Sequence, residues 1–459
     1  MLDKNIAHDV INCALEHGAD FCDIFVEKKD SQSVSFNSSE VKDIQSGMNF
    51  GIGVRLIYGT KSLYAYTNSK ERDDLIKLTQ TLAASYKTGS QALMQDQFNT
   101  LTYQEIKSFI NKEMPLEEKI NNLKSLDSKI RAQGEYISQV NISMIQYQQN
   151  IEVFNSKGLY AHEVRPYCRV ATNAIAKDGD KQCSGSWNPG ARGGDGFLDS
   201  LDHDWIAEYL GKKTKTVLYA EACPAKTMDV VIDNGFGGVI FHEACGHLLE
   251  TTSVEKKSSV FWDKKGEMIA HENLSAVDDG TIDNLWGSIS IDDEGMPTQR
   301  TQLIKNGKLE NFLSDTLGEM KTGHKRTGSA RRQSYKFAPA SRMRNTFIEE
   351  GPHSNDEIIQ SIGDGLYCKS MGGGSVNPGT GEFNFAVEEG YLIKNGKLDK
   401  AVKGATLIGR GEKIMKNISM VGKNLDFAAG MCGSVSGSVP VTVGQPMIKV
   451  ENILVGGNS

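Results

Sequence analysis

No run of 18 consecutive apolar residues occurs in this chain of 459 residues, so we expect no helix that spans a membrane. Residues 1–9 carry several charges and lack the apolar core of a secretory signal peptide, so we expect none. The chain has 8 cysteines, but no two of them form a CxxC pair. Scattered cysteines fit a reducing compartment better than a disulfide framework, and we therefore expect a cytoplasmic protein.

An excess of positive charge is also missing. The sequence has 51 Lys and Arg against 58 Asp and Glu, a net charge of −7, which argues against a nucleic-acid-binding surface. Hydrophobic residues make up 39% and charged residues 24%, as in ordinary globular proteins. A chain of 459 residues is long enough for two or three domains, each with a sizeable core.

The first half alternates between strand-like and helix-like patterns. Apolar and polar residues alternate over 21–26, 34–37, 51–58 and 62–66, and again over 136–147, 151–154, 159–164 and 168–176, which predicts strands. Apolar periodicity predicts helices over 3–18 and 115–130 and a short one over 202–210. Residues 184–196 are rich in Gly and Ser, which favours a loop. We find no catalytic constellation in this half and interpret residues 1–219 as a scaffold domain.

The second half, residues 220–459, returns mainly to strands and turns. Residues 228–232 predict a buried strand, a glycine-rich turn follows, and then one apolar helix. Beyond that helix, strand patterns predominate, for example at 439–443 and 447–453. We therefore predict an α+β fold, in which an N-terminal antiparallel sheet with flanking helices precedes a C-terminal, mostly antiparallel, barrel-like β domain built around that helix.

Two stretches of the second half permit more than one interpretation. In GSARRQSY, at 328–335, Arg331 or Arg332 either binds carboxylates or carbonyls of a peptide or forms salt bridges at the surface. The segment GGGSVNPGTG, at 372–381, has the glycines of a phosphate cradle but lacks the Lys-Ser/Thr of a P-loop. A turn-rich loop beside the functional site is the favoured interpretation.

The predicted helix carries HEACGH, with His242, Glu243 and His247. Two neutral imidazoles next to a carboxylate are what a catalytic zinc requires, since the carboxylate can take a proton from water. The alternative is a buried helix whose histidines bond backbone carbonyls. The histidines are five residues apart, so on a regular α-helix they would be rotated apart by about 140°. We therefore predict a π-bulge or a break near Cys245 and Gly246.

A catalytic zinc needs a third protein ligand, and spacing alone leaves several residues open. Cys245 lies within the motif, and Cys432 lies between glycines in GMCGSVSG, at 430–437. The remaining candidates are carboxylates and one imidazole that follow the motif: Glu250, His271, Glu272, Asp278, Asp279, Asp292 and Asp293.

The sequence resembles the TldD/PmbA family of metallopeptidases, specifically its TldD-type subunit. Besides HEACGH, the motifs that carry the resemblance are IDDEG at 291–295, GSARRQSY at 328–335, RMRNT at 342–346, GGG at 372–374, VKGATLIG at 402–409, ISMVG at 418–422, MCG at 431–433 and VPVTVGQP at 439–446. They cover the second half densely, whereas the first half matches more loosely. The chain departs from the commonest form at Leu248, where a glycine is usual.

The resemblance implies zinc ligands at His242, His247 and Cys432, with Glu243 as the general base. It also implies cleavage of peptides or unfolded segments with little sequence preference, by a homodimer or a heterodimer with a PmbA-type subunit. A ligand from a distant loop also spreads the donors around a tetrahedral ion better than Cys245 would. An alternative of another class is a non-catalytic, zinc-stabilised module that binds unfolded chains.

Overall fold

The structure of the chain, a computed structural model, describes residues 1–86, 97–109, 113–377 and 380–457. The polar stretch at 88–99, whose composition favours a linker or loop, lies outside the described residues as far as residue 96. Within them, the first half contains α1 (Lys4–Glu16), β1 (Phe21–Asn37), β2 (Glu40–Tyr58), β3 (Lys61–Thr67), α2 (Arg72–Ala84), β4 (Asn99–Thr100), α3 (Leu116–Arg131), β5 (Ile137–Asn155), β6 (Leu159–Asp178), β7 (Lys181–Trp187), β8 (Gly190–Arg192), α4 (Asp195–Asp199) and α5 (His203–Tyr219).

The strands of the first half form one sheet in the order β3-β2-β1-β5-β6-β4, with β7 and β8 also paired to β6. The long pairings β1–β2, β1–β5 and β5–β6 are antiparallel. Helices α1 and α2 cover one region of the sheet, where apolar residues such as Val10, Ile24 and Leu75 are buried together. Helices α3 and α5 cover another, around Leu123 and Leu210.

The second half contains, in chain order, β9 (Glu221–Ala222), β10 (Lys226–Ile232), α6 (Val239–Ala244), α7 (Thr251–Val254), β11 (Ala276–Asp279), β12 (Arg300–Lys305), β13 (Lys308–Leu309), α8 (Thr316–Thr322), β14 (Ala330–Arg331), β15 (Ala340–Ser341), β16 (Asn345–Ile348), α9 (Asn355–Gln360), β17 (Asp364–Val376), β18 (Glu382–Lys394), β19 (Lys397–Lys403), β20 (Thr406–Arg410), α10 (Gly411–Asn417), β21 (Ile418–Val421), β22 (Asp426–Ser434), β23 (Gly437–Gln445) and β24 (Ile448–Gly456).

Strands β17, β10, β24, β20 and β18 pair in that order, and β17 also pairs with β18, so this sheet closes into a barrel. A second sheet has the order β13-β12-β11-β16-β23-β22, which leaves β22 at its edge. Most pairings are antiparallel, but β10–β17 and β16–β23 are parallel. The largest apolar core lies between these elements and includes Ile240, Phe241 and Ala244 of α6. The predicted fold class is confirmed, whereas the boundary at 219/220 stays a prediction.

Two local predictions were wrong. The Gly- and Ser-rich residues 184–196 contribute to β7 and β8 instead of a loop. The helix predicted over 202–210 continues to Tyr219, and on this extension Lys213 is buried, with its Nζ 2.6 Å from Glu388 of β18. Among the helices in the described ranges, none combines the length and apolar character needed to cross a bilayer.

Candidate metal centre

The metal motif begins where the chain turns from β10 into α6 through a 3₁₀ turn, Gly235–Gly238. A Cβ on Gly238 would lie 2.5 Å from the carbonyl oxygen of Gly444 in β23. A Cβ on Gly411, the first residue of α10, would lie 2.0 Å from the carbonyl oxygen of Ala244. Because only hydrogen fits at these positions, α6 lies directly against β23 and α10. The motif helix is thereby fixed from two sides.

The helix is broken between the two histidines. Helix α6 ends at Ala244, Cys245 leaves the helical region with φ −134° and ψ −49°, and a 3₁₀ turn follows over Gly246–Leu249. A side chain at Gly246 would meet Met343, whose Sδ would lie 2.2 Å from the added Cβ. The break predicted from the five-residue spacing is therefore confirmed, and it takes the place of the alternative π-bulge.

The break turns both imidazoles toward one sulfur atom. His242 Nε2 lies 3.2 Å and His247 Nε2 3.3 Å from Sγ of Cys432, and the ligand atoms of the three residues lie within 4.8 Å of one another. The two rings are nearly perpendicular, at 86°. Cys432 lies on the edge strand β22, close to the turn into β23. Two distant segments therefore meet at this point.

This donor set fits a single metal ion. With Zn–N bonds near 2.05 Å and a Zn–S bond near 2.3 Å, nitrogen and sulfur on a tetrahedral zinc lie about 3.5 Å apart. The two nitrogen–sulfur separations, 3.2 and 3.3 Å, are close to that value. Within the described part of the chain, these three residues form the one group of at least three His, Cys, Asp or Glu side chains whose ligand atoms lie close enough together to hold a metal ion. Borderline-soft ions such as zinc suit a mixed imidazole and thiolate set.

The electrostatics of the cluster favour a thiolate. Burial opposes ionisation of Cys432, but the charge and hydrogen bond of His242 and those of His247 lower the pKa of the thiol to about 3. Burial likewise disfavours a charged His247, but Glu250 and Cys432 raise the pKa of this imidazole well above its usual range. The sulfur is thus in the anionic form that a metal binds.

Glu243 faces the same centre. Its Oε2 lies 3.9 Å from Nε2 of His247, and its side chain is 22% exposed. The carboxylate is therefore near the cluster while keeping contact with solvent. This is a suitable position for a group that exchanges protons with water.

Glu250 supports His247 from the opposite side of the ring. Its Oε2 lies 3.1 Å from Nδ1 of His247, and its other oxygen accepts a hydrogen bond from the backbone N–H of Met343. Nε of Arg342 lies 3.9 Å from Glu250, while Nη2 of Arg342 donates to the carbonyl oxygen of Cys432. Arg342 thus links the carboxylate behind one cluster residue to the backbone of another.

The other candidates for a third ligand lie elsewhere. Cys245 is fully buried, burial raises its pKa, and its sulfur is not part of the cluster. Glu250 reaches only the rear of His247, and Asp278 is bonded by Arg344 and Thr346. His271, Glu272, Asp279, Asp292 and Asp293 form no described cluster with the two histidines.

Neither Arg331 nor Arg332 forms a surface salt bridge, so that interpretation was wrong. Arg331 is 3% and Arg332 4% exposed. Nη1 of Arg331 donates to the carbonyl oxygen of Met343, and Nη2 of Arg332 donates to that of Asp293. In the glycine segment, residues 372–376 complete strand β17 instead of forming a loop, and residues 378–379 lie outside the described residues.

A cavity of about 420 Å³ lies between β22 and β17, and Met431, the residue before Cys432, is among its lining residues. Phe427 and Met431 line one wall, and Ser370 to Gly373 line the other. Residues 365–368 of β17 pair with both β10 and β18, but from Ser370 onward the described pairing of β17 is with β18 alone. From Ser370 onward, one edge of β17 therefore has no partner strand within the described residues.

Models of one protein family match the chain along most of its length. They are described as PmbA/TldA metallopeptidase domain 1 (residues 22–85), central domain (110–218) and C-terminal domain (225–457). Among curated sequences, a "Metalloprotease TldD homolog" from Haemophilus influenzae is 35% identical over 96% of this chain and 93% of its own. A "Zinc metalloprotease TldD homolog" from Saccharolobus solfataricus is 27% identical, covering 97% of this chain and 99% of its own.

Solved structures share the fold at low sequence identity. A Thermotoga maritima protein superposes with a TM-score of 0.81 at 18% identity, over 99% of this chain and 100% of its own. TldE from Thermococcus kodakarensis gives 0.76 at 18% identity, over 98% and 100%. The sequence relatives confirm the resemblance that the motifs indicate, and the structures confirm the fold.

Proposed function

The chain belongs to the TldD/PmbA family of metallopeptidases, and on this premise we propose that it is a zinc-dependent peptidase that hydrolyses peptides or unfolded protein segments with low sequence specificity. The observation that carries the proposal is the convergence of His242, His247 and Cys432 on one point. Glu243 beside them supports hydrolysis over a purely structural site. The relative named as a zinc metalloprotease supports the choice of zinc.

The roles of the residues follow from their chemistry. Zinc, when bound, supplies a Lewis acid that polarises the scissile carbonyl and lowers the pKa of water. His242, His247 and Cys432 would hold the ion, and three protein ligands are the number that catalytic zinc sites use. Glu243 takes the proton of the attacking water and delivers it to the leaving amine. Glu250 fixes the orientation of His247 through Nδ1.

We place the substrate in the cavity between β17 and β22. An extended peptide can pair with the open edge of β17, so that main-chain hydrogen bonds supply affinity and side chains are read weakly. The edge of β22 is less available, because Trp286 donates to the carbonyl oxygen of Gly430 at 2.9 Å and Arg342 donates to that of Cys432. Backbone pairing accounts for low sequence specificity.

The proposal includes the assembly and location expected from the family. We propose that the chain acts as a homodimer or as a heterodimer with a PmbA-type subunit, since the sites of the family are enclosed between subunits. All 8 cysteines are free, which supports a cytoplasmic location.

The test compares wild-type protein with Glu243→Gln, each assayed for zinc by elemental analysis and for cleavage of an unstructured peptide. We expect wild-type cleavage to stop on chelation and to return with zinc, and Glu243→Gln to keep zinc while losing at least about a hundredfold in kcat/KM. Equal cleavage by the variant would remove Glu243 as the base. Zinc-loaded wild type that binds the peptide without cleaving it would instead favour the non-catalytic binding module.

A further inference from the structure

A second cavity, of about 290 Å³, lies between the sheet of the first half and the β22–β23 hairpin. Five residues with cationic side chains line this cavity, but only one residue with a carboxylate does. The cations are Lys29, Arg165, Arg169, Arg331 and Arg332, and the carboxylate is Asp293. Met431, the residue before Cys432, lines this cavity as well as the one between β17 and β22. The cationic cavity therefore borders the cavity in which we place the substrate.

The single carboxylate is already bonded on both oxygens. Nη1 of Arg165 lies 2.7 Å from Oδ1 of Asp293, and the backbone N–H of Arg332 donates to Oδ2 at 2.7 Å. Arg165 is further paired with Glu163, at 2.8 Å. Asp293 and Glu163 thus pair with Arg165, and within the described residues Asp293 forms no ion pair with another cation of the cavity.

Three of the arginines, Arg169, Arg331 and Arg332, have no ion-pair partner within the described residues, and only Arg332 donates its guanidinium N–H groups to several oxygens, those of Tyr64, Phe337 and Asp293. Arg331 is 3% exposed and donates only from Nη1, to the carbonyl oxygen of Met343 at 2.8 Å. Nε of Arg169 is buried without an acceptor, and its guanidinium lies 5.9 Å from the ring centre of Trp286. Burial lowers the pKa of both groups. Arg331 is buried and Arg169 is half-buried, so a ligand that supplies negative charge to the cavity would offset the cost of burying these unpaired cations.

We propose that this cavity binds the C-terminal carboxylate of a peptide, through Arg331 and Arg169. A planar carboxylate matches the paired N–H groups of a guanidinium. A volume of about 290 Å³ is at the small end of ligand sites and suits one terminal residue. The assignment rests on the proposed peptidase function and makes short peptides with a free C-terminus the preferred substrates.

The test uses zinc-loaded Glu243→Gln protein, so that binding is measured without cleavage. Two fluorescent peptides of one sequence, ending in a carboxylate or in an amide, are titrated by anisotropy. We expect the carboxylate form to bind about ten- to a hundredfold more tightly, the range of a charge-assisted bond. Arg331→Gln and Arg169→Gln, each added to Glu243→Gln, should remove this preference. Equal binding of the two peptides would overturn the proposal.

Inorganic phosphate, another oxyanion, is the competitor. If it displaces only the carboxylate peptide, and only at millimolar concentration, the cavity prefers the peptide terminus. If phosphate binds more tightly than the carboxylate peptide, the assignment to a peptide terminus is wrong.

Arg344 provides the matched control, because it is equally buried but is paired with Asp278 at 2.6 Å. Arg344→Gln should lower the melting temperature by several degrees and keep the carboxylate preference. Arg331→Gln should keep or raise the melting temperature, because it removes an unpaired buried charge. If it instead lowers the melting temperature and keeps the preference, Arg331 is structural and the proposal fails. Wild type that shows the preference but cleaves no peptide would refute the peptidase and leave the cavity assignment standing.

Discussion

The hydrogen bond between Glu250 and His247 is expected to set the metal affinity of the centre. Glu250 is 2% exposed, and its Oε2 lies 3.1 Å from Nδ1 of His247. Replacement by glutamine keeps the size of the side chain and an oxygen that can accept the imidazole N–H, but removes the charge. Within the described residues, Nδ1 of His242 is buried without a hydrogen-bond partner, so of the two histidines the substitution acts directly on His247 alone.

The expected magnitude follows from the type of bond. A hydrogen bond to a charged group contributes about 1.5–3 kcal/mol, which is about ten- to a hundredfold in an equilibrium constant. Loss of a carboxylate behind a metal-bound histidine has an effect of the same order. Arg342, 3.9 Å from Glu250, loses its nearest carboxylate in the same variant, so the backbone of Cys432 loses support as well. We therefore predict that Glu250→Gln weakens zinc binding about ten- to a hundredfold.

Zinc affinity is measured by competition with a chromophoric chelator, and folding is followed by circular dichroism. Asp278→Asn is the control, since Asp278 is fully buried and paired with Arg344 away from the centre. It should lower stability and leave zinc affinity within about twofold of wild type. Folded Glu250→Gln protein with wild-type zinc affinity would refute the reasoning, because the bond to His247 would then contribute nothing to the metal site.

Four further predictions can be checked separately. Cys432→Ala should lose zinc by elemental analysis and Cys245→Ala should keep it, and the reverse result would make Cys245 the ligand. Gly411→Ala should lower the free energy of unfolding, measured in urea, by about 1–3 kcal/mol, because its Cβ would lie 2.0 Å from a carbonyl oxygen. Gly363→Ala is the control, since a Cβ there would meet open space, and it should change the free energy of unfolding little. Equal effects of the two substitutions would contradict the packing argument. Burial and Glu294 raise the pKa of Asp315 to about 7, so the free energy of unfolding of the wild type falls as pH rises from about 4 toward 7. The free energy of unfolding of Asp315→Asn, relative to that of the wild type, should therefore rise by at least about 1 kcal/mol between pH 5 and pH 8. A difference that stays constant with pH would exclude the raised pKa. Light scattering at micromolar concentration should give a dimer, alone or with a PmbA-type subunit, and a fully active monomer would contradict it.

The features that could be predicted from the sequence are local ones. The spacing of His242 and His247 alone requires a distortion of the helix, because helical geometry turns positions i and i+5 apart. The structure shows this distortion at Cys245 and Gly246. The long alternating runs predict the strands, but several were divided too early. The runs at 21–26 and 34–37, for example, belong to the single strand Phe21–Asn37, because the polar residues between them are paired on both sides.

The features that could not be predicted depend on distant partners. The sequence left peptide contact and surface salt bridging open for Arg331 and Arg332. Both are in fact buried, against segments that the sequence does not connect to them. Lys213 lies in a basic run, residues 212–215, of a kind that is usually solvated, but its side chain is buried and its Nζ lies 2.6 Å from Glu388. The first half, interpreted as scaffold, supplies Arg169 to the cationic cavity. Burial of a charge is decided by its partner, and the partner lies in another part of the chain.

The same dependence on distant partners explains how the centre is held together. His242 and His247 lie on the broken helix, whereas Cys432 lies on an edge strand that is paired only with β23 in the described residues. Arg342 joins the two, because it donates to Ser436, Gly437 and the carbonyl oxygen of Cys432 while facing Glu250. A bound metal adds a direct bond between these segments, so its binding free energy also stabilises the hairpin against opening. If the proposed zinc ion binds there, it would therefore also help to order the edge strand β22, which forms one wall of the cavity proposed for the substrate.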